Sequence, residues 1–122
     1  VQMASLMAKV SDIIKIHDEH VVKVAVDGQG WALYFSRAPL PYRTEDFFYQ
    51  HIGIYGYRRG FLLQLAQLSP TRLERAEKLE QLRALENGFR IRMIEVPFAP
   101  LSVDTPQDII KVENFLSQAK NG

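Results

Sequence analysis

The most informative segment of the sequence is the octapeptide His51-Ile52-Gly53-Ile54-Tyr55-Gly56-Tyr57-Arg58. Read as a strand, its alternation puts the imidazole and both phenols on one face and the two isoleucines on the other. The isoleucine face is typical of core packing. On the polar face Gly53 would leave a notch between His51 and Tyr55, and glycine inside a strand often marks the close approach of a ligand or another backbone. The octapeptide predicts either an ordinary half-buried strand or one wall of a ligand site.

Composition limits the class of protein. The 122 residues allow one domain with a modest core, and the near balance of acids and bases (net charge +1) gives no indication of a nucleic-acid surface. The absence of cysteine excludes a disulfide framework and a thiolate metal site, and it fits a cytoplasmic location. No apolar run reaches the roughly 18–20 residues that span a membrane. Because strand-like sequence begins almost at Val1, we expect the chain to be a fragment of a longer protein.

Strand and helix patterns are mixed along the chain. Strands are predicted over 3–10, 20–27, 31–37, 51–58 and 89–96, with a hairpin turn at 27–30. Helices are predicted over 61–68, from Ser69-Pro70 to about Glu86, and from Thr105-Pro106 to about Lys120. This pattern predicts an α/β fold with a mixed sheet, either one domain over 1–122 or the C-terminal half of a larger sheet.

Polar groups stand out in three further segments. Arg37 ends a hairpin strand, where it could cap the sheet edge or clamp an anion. Glu80 and Gln81 belong to a predicted helix, whose solvated face would explain them. Asp104 precedes a capped helix, where it could bind Mg²⁺ or complement the helix dipole.

Two other patterns are weaker. His17 and His20 flank acidic residues, but without a third ligand nearby a solvated turn explains them better than a metal site. Gly28 and Gly30 precede a strand and not a helix, so they predict a turn and not a phosphate-binding loop.

Four blocks occur in an order that resembles the C-terminal half of the 3-deoxy-manno-octulosonate cytidylyltransferases, also called CMP-Kdo synthetases. The blocks are Ala32-Leu-Tyr-Phe-Ser-Arg-Ala-Pro39, His51-Ile-Gly-Ile-Tyr-Gly-Tyr-Arg58, Leu79-Glu-Gln-Leu-Arg83 and Val103-Asp-Thr-Pro106. The resemblance runs from about Met3 to Leu116. It implies a nucleotide-diphospho-sugar transferase-like fold and a homodimer. It also implies the Mg²⁺-dependent transfer of a cytidylyl group from CTP to the acidic sugar Kdo, which feeds lipopolysaccharide synthesis.

The resemblance also implies residue roles. Asp104 matches a catalytic, magnesium-binding aspartate, and the remaining matches line the sugar site: Arg37, His51, Tyr55, Glu80 and Gln81. The nucleotide-binding loop of the family is missing from this chain. We therefore expect the isolated chain to be inactive without its N-terminal half.

The sequence departs from the family pattern at a short 41–50 connection and at Ser102, where many members have glycine. Two alternatives stay open. One is a cytidylyltransferase for another acidic sugar, of the acylneuraminate type. The other is a non-catalytic interaction domain that retains the fold.

Overall fold

The computed structural model describes residues 1–97. Five strands and three α-helices make up this part, with a short 3-10 helix at Ile13–His17. The strands are β1 Met3–Val10, β2 Lys23–Val26, β3 Ala32–Ser36, β4 Phe48–Tyr57 and β5 Arg92–Glu95. The helices are α1 Arg59–Ala66, α2 Arg72–Glu77 and α3 Leu82–Glu86. The predicted α/β class is confirmed, whereas the final predicted helix and Asp104 lie outside the described residues.

All five strands form one mixed sheet in the order β3-β2-β4-β1-β5. The central strand pair is antiparallel, β1 with β4, and β5 then adds parallel to β1. The predicted hairpin is confirmed as the antiparallel pair of β2 and β3 at the other edge. Within residues 1–97, none of the helices has the length and apolar character needed to cross a membrane.

The sheet buries apolar side chains on both faces. Its helix-covered face holds the larger core, in which Met3, Met7 and Phe35 pack with Phe61 of α1 and Leu82 of α3. The opposite face carries a second cluster: Leu6, Ala8, Ile52 and Val96. A third cluster, Val10, Ile16 and Phe48, packs the 3-10 helix against one end of the sheet.

A β-bulge interrupts the pairing of β4 with β1. Ser5 lies opposite Tyr55, but the next residue, Leu6, lies opposite Ile52, so Gly53 and Ile54 are extra residues on β4. Because two residues are inserted, the alternation of side chains resumes unchanged beyond the bulge. His51 and Tyr55 therefore share the helix-covered face, as the sequence pattern predicts.

The prediction of one helix from Ser69-Pro70 to about Glu86 is wrong. The chain forms two short helices, α2 and α3, because Lys78 adopts a left-handed conformation (φ 59°) that ends α2. The leucine and alanine residues of this segment recur every three positions, and in a straight helix such a series drifts about 60° per step around the axis. Leu79 and Leu82, which follow the break, are both buried.

The turn of the hairpin is tied to β5. Backbone bonds join Ala32 N–H to the Ile91 carbonyl and Met93 N–H to the Gly30 carbonyl. The guanidinium of Arg90 stacks on the Trp31 ring at 3.8 Å from its centroid, and that of Arg92 lies 5.4 Å away. Gly30 has φ +88°, and a side chain there would meet the Met93 carbonyl at 3.5 Å. The hairpin thus contacts the strand at the far edge of the sheet.

Candidate functional site

His51 lies at the centre of a buried polar group. Its side chain is 8% exposed, and its ring packs edge-on against Phe35 and tilted against Tyr55, at centroid distances of 4.8 and 5.6 Å. Nε2 is 2.8 Å from the Ser5 hydroxyl, and Nδ1 is 3.4 Å from the Gln81 amide nitrogen. We call Ser5, His51 and Gln81 the histidine cluster. Burial lowers the pKa of His51 to about 4, so the imidazole is neutral near pH 7.

A small cavity opens beside the histidine cluster. Two tyrosines of β4 form one wall, with Tyr55 and Tyr57 stacked at 5.8 Å between ring centroids. The other lining residues are Met3, Leu65, Glu80, Gln81 and Arg83, and the cavity volume is about 110 Å³. Burial raises the pKa of both phenols, with a contribution from the nearby Glu80 carboxylate. Both tyrosines are therefore protonated donors at neutral pH.

Glu80 and Gln81 reach the cavity because they occupy the turn between α2 and α3 and not a continuous helix. An ion pair fixes this turn: Arg83 donates to both carboxylate oxygens of Glu74, at 2.9 and 2.6 Å. The same guanidinium holds the pKa of Glu74 below its ordinary value. The charge of Arg83 is thus committed to Glu74, although Arg83 lines the cavity.

The predicted notch at Gly53 is wrong. Gly53 belongs to the bulge and is exposed, and a side chain built on it would meet no atom within 4 Å. The rings of His51 and Tyr55 contact each other directly, which leaves no gap between them. Glycine here marks the bulge, which is the other common reason for glycine in a strand.

Arg37 lies apart from this cavity. It lines a wider and more open cavity of about 420 Å³, together with Glu19, His20, Ala76, Glu77 and Lys78. Its guanidinium donates to the backbone carbonyls of Glu77, Lys78 and Glu19 at 3.1–3.4 Å. These bonds use three of its five N–H groups, so two are left for a ligand.

A second polar network positions Arg37. The Glu77 carboxylate accepts hydrogen bonds from the Tyr34 and Ser36 hydroxyls at 2.8 and 2.9 Å, and from the Arg37 backbone N–H at 3.4 Å. We call these four residues the carboxylate cluster. Burial and the bond to Glu77 raise the pKa of Tyr34 to about 12.

A buried lysine, Lys23, holds the backbone of Arg37. It is fully buried, and its ammonium donates to the carbonyls of Asp18 and Arg37, both at 2.6 Å. Burial lowers the pKa of Lys23, and the charge of Arg37 adds to that effect. The carbonyl end of Arg37 is thus fixed on a buried cation while its guanidinium remains at the cavity.

The structure therefore brings Tyr55, Glu80 and Gln81 to one cavity with His51 in contact behind them, and it places Arg37 at a separate cavity. The predicted magnesium ligand Asp104 lies outside the described residues. Within residues 1–97, no three histidine, aspartate or glutamate side chains are grouped as a metal site would require.

Sequence reasoning missed Ser5, Lys23 and Glu77. Ser5 and Lys23 are isolated polar residues within apolar strands, and this is the signal that could have found them. Glu77 gives no such signal, because a glutamate is ordinary on the surface of a predicted helix.

Comparison with known proteins identifies the class to which this fold and site correspond. The model of the cytidylyltransferase family matches residues 1–93, and the chain belongs to that family.

Its relatives are more specific. The proteins of Geotalea uraniireducens (strain Rf4) and Geobacter metallireducens, both described as 3-deoxy-manno-octulosonate cytidylyltransferase, are 48% and 46% identical. Their alignments cover 92% and 97% of this chain, but 50% and 52% of those proteins. The chain therefore spans about half the length of the curated relatives it matches.

A solved structure of CMP:2-keto-3-deoxy-manno-octonic acid synthetase complexed with CTP matches with a TM-score of 0.78 and 38% identity. The match covers 98% of this chain and 50% of that one. These findings confirm the family resemblance and the nucleotidyltransferase-like fold that the sequence predicts.

Proposed function

We propose that this chain is the C-terminal, sugar-binding half of a cytidylyltransferase that joins CTP to Kdo and releases pyrophosphate. One observation carries the proposal: Tyr55 of β4 and Glu80 and Gln81 of the α2–α3 turn line one small cavity, and His51 contacts two of them, Tyr55 and Gln81, from behind. These residues come from two of the four sequence blocks that resemble the family.

The chemistry of the cavity suits a polyol. Two protonated phenols, an amide and a carboxylate offer both donors and acceptors, while the only nearby guanidinium within residues 1–97, that of Arg83, is paired. A volume of about 110 Å³ is smaller than the roughly 300–1,000 Å³ of pockets that enclose a whole small ligand. The cavity therefore takes only one part of the sugar.

Arg37 supplies the cation that an acidic sugar needs. Two of its N–H groups remain after the bonds to backbone carbonyls, and a guanidinium binds a carboxylate through two parallel hydrogen bonds. We assign the sugar carboxylate to Arg37 and the hydroxyls to the cavity beside His51.

The rest of the proposal comes from the family resemblance. The anomeric hydroxyl of Kdo attacks the α-phosphorus of CTP, which the other half of the protein binds, and pyrophosphate leaves. Asp104 would provide one ligand to Mg²⁺, which would offset phosphate charge. The assembly is a cytoplasmic homodimer.

A segment exchange tests the function. This chain replaces the matching 126-residue region of the Geotalea uraniireducens relative, and CMP-Kdo and pyrophosphate are measured with CTP, Kdo and Mg²⁺. We expect turnover by the hybrid and none by the isolated chain. An acylneuraminate is offered in parallel. A preference for that sugar would favour the other cytidylyltransferase class, and a folded, inactive hybrid would favour an interaction domain.

Inhibitor pairs test the two assigned subsites in the same hybrid. The 2-deoxy analogue of Kdo lacks the attacking hydroxyl, and its C1 amide also lacks the negative charge. We expect the acid to inhibit about tenfold more strongly than the amide, as a charged hydrogen-bonded pair implies. Arg37→Met should remove that preference. Gln81→Leu should weaken both inhibitors and keep the preference, and the opposite pattern would contradict the assignment.

A further inference from the structure

Ser5 is buried beneath the β4 bulge and touches three polar atoms. Its hydroxyl oxygen is 2.8 Å from His51 Nε2, 2.8 Å from the Ile54 carbonyl oxygen and 3.2 Å from the Ile52 carbonyl oxygen. Both carbonyls belong to the bulge: Ile52 is the last paired residue before it, and Ile54 is one of its two inserted residues. Ser5 itself is 0% exposed, so its hydroxyl depends on these protein groups for its hydrogen bonds.

Counting protons fixes the direction of each bond. A serine hydroxyl has one hydrogen, and a carbonyl oxygen can only accept. The hydroxyl therefore donates to Ile54, with Ile52 as a weaker acceptor, and its oxygen accepts from His51. For that bond His51 must carry its proton on Nε2. A hydroxyl that donated to Nε2 would leave two carbonyl oxygens facing a third oxygen without a proton, which is unfavourable in a buried site.

The tautomer of His51 also determines the orientation of the Gln81 amide. With a proton on Nε2 alone, Nδ1 has a lone pair and accepts from the Gln81 amide N–H. The amide nitrogen thus faces the histidine, and the amide oxygen faces away from it. Within residues 1–97 this oxygen receives no hydrogen bond, and Gln81 lines the cavity together with Tyr55 and Glu80.

We propose that Ser5 is a positioning residue that fixes the Nε2–H tautomer of His51 and thereby presents the Gln81 amide oxygen, an acceptor, to the cavity. The geometry of the histidine cluster carries this assignment without reference to a ligand. Its consequence for a sugar hydroxyl, which would donate to Gln81, rests on the proposed function.

The tautomer is measured directly in the 122-residue chain by ¹⁵N NMR of the imidazoles, with His51→Gln to assign the signals. We expect His51 to show a protonated Nε2 and an unprotonated Nδ1. In Ser5→Ala this single tautomer should give way to a mixture of the two, while Ser5→Thr, which keeps the hydroxyl, should retain it. Ser36→Ala removes the other buried serine hydroxyl and should leave the His51 signals in place.

Two results would overturn the proposal. One is a protonated Nδ1 in the unsubstituted chain, a result that needs no variant to fold. The other is an unchanged tautomer in a folded Ser5→Ala chain. In the hybrid enzyme, Ser5→Ala should then raise KM for Kdo about five- to tenfold, leave KM for CTP unchanged, and recover with threonine. Because the NMR result needs no sugar, failure of the proposed function would leave it intact.

Discussion

The histidine cluster and the carboxylate cluster lie on neighbouring parts of the same sheet, yet they satisfy their polar groups differently. In the first, a hydroxyl, a neutral imidazole and an amide are each at least nine-tenths buried. In the second, Glu77 and Arg37 are half-buried and carry formal charges at the rim of an open cavity.

The difference follows from the cost of burying charge. An ionised group needs water or a close counter-charge, whereas neutral donors and acceptors can be satisfied entirely by one another. The interior cluster is therefore suited to hydroxyl groups and the rim cluster to an anion. Under the proposed function, the interior cluster would stand beside the hydroxyls of the acidic sugar and the rim cluster beside its carboxylate.

The largest expected effect tests whether the histidine cluster is neutral. The pKa of His51 falls from 6.5 to about 4 on folding. Between these values the unfolded chain takes up a proton that the folded chain does not, so stability should fall as pH drops from 6.5 to 4. The loss should reach about 3 kcal/mol. Denaturant unfolding at a series of pH values measures it.

The control for this effect is a second histidine. His51→Gln should flatten the dependence across that interval, whereas His20→Gln, at the exposed cavity of Arg37, should leave it unchanged. If unfolding free energy depended on pH equally in the unsubstituted chain and in His51→Gln, the histidine cluster would not be held neutral. The contrast between the two clusters would then fail.

A smaller effect is expected from the carboxylate cluster. Glu77→Gln replaces an acceptor for three donors with a group that carries an N–H₂, so unfolding free energy should fall by about 2 kcal/mol. The pKa of Tyr34 should move from about 12 towards its ordinary value of 10, as read from tyrosinate absorbance against Tyr34→Phe. The exposed pair Tyr49–Glu95 provides the matched control: Glu95→Gln should cost less than about 0.5 kcal/mol.

The smallest effect concerns the bulge beside the histidine cluster. Gly53→Ala should change stability by less than about 0.5 kcal/mol, because the added methyl meets no atom. Gly30→Ala, by contrast, forces a side chain into a left-handed conformation and should cost about 1–2 kcal/mol. Thermal unfolding of both variants compares them. A large loss for Gly53→Ala would place the bulge in tighter contact with the cluster than the geometry indicates.

The sequence was sufficient to predict the strands and the face of β4 that carries His51 and Tyr55. Alternation in β4 predicts the shared face of His51 and Tyr55, and the prediction holds because the bulge inserts an even number of residues. The bulge itself was not predictable, since glycine in a strand is equally consistent with a ligand notch.

The other partners of His51 depend on tertiary structure. Ser5 and Gln81 are 46 and 30 residues away from it, and local pattern does not determine such pairings. Gln81 reaches the cavity only because Lys78 breaks the helix. The three-residue leucine spacing, which a straight helix does not accommodate, was the available indication of that break.

Trp31 is a fluorescent probe of one step in the folding of the sheet. It is the only tryptophan in the chain, and its ring contacts the guanidinium groups of Arg90, just before β5, and of Arg92 within it, some sixty residues later. Its fluorescence should therefore change when the first hairpin meets the last described strand, and not when the hairpin itself forms. Stopped-flow emission would time that long-range closure, which loop entropy makes slow relative to local turns.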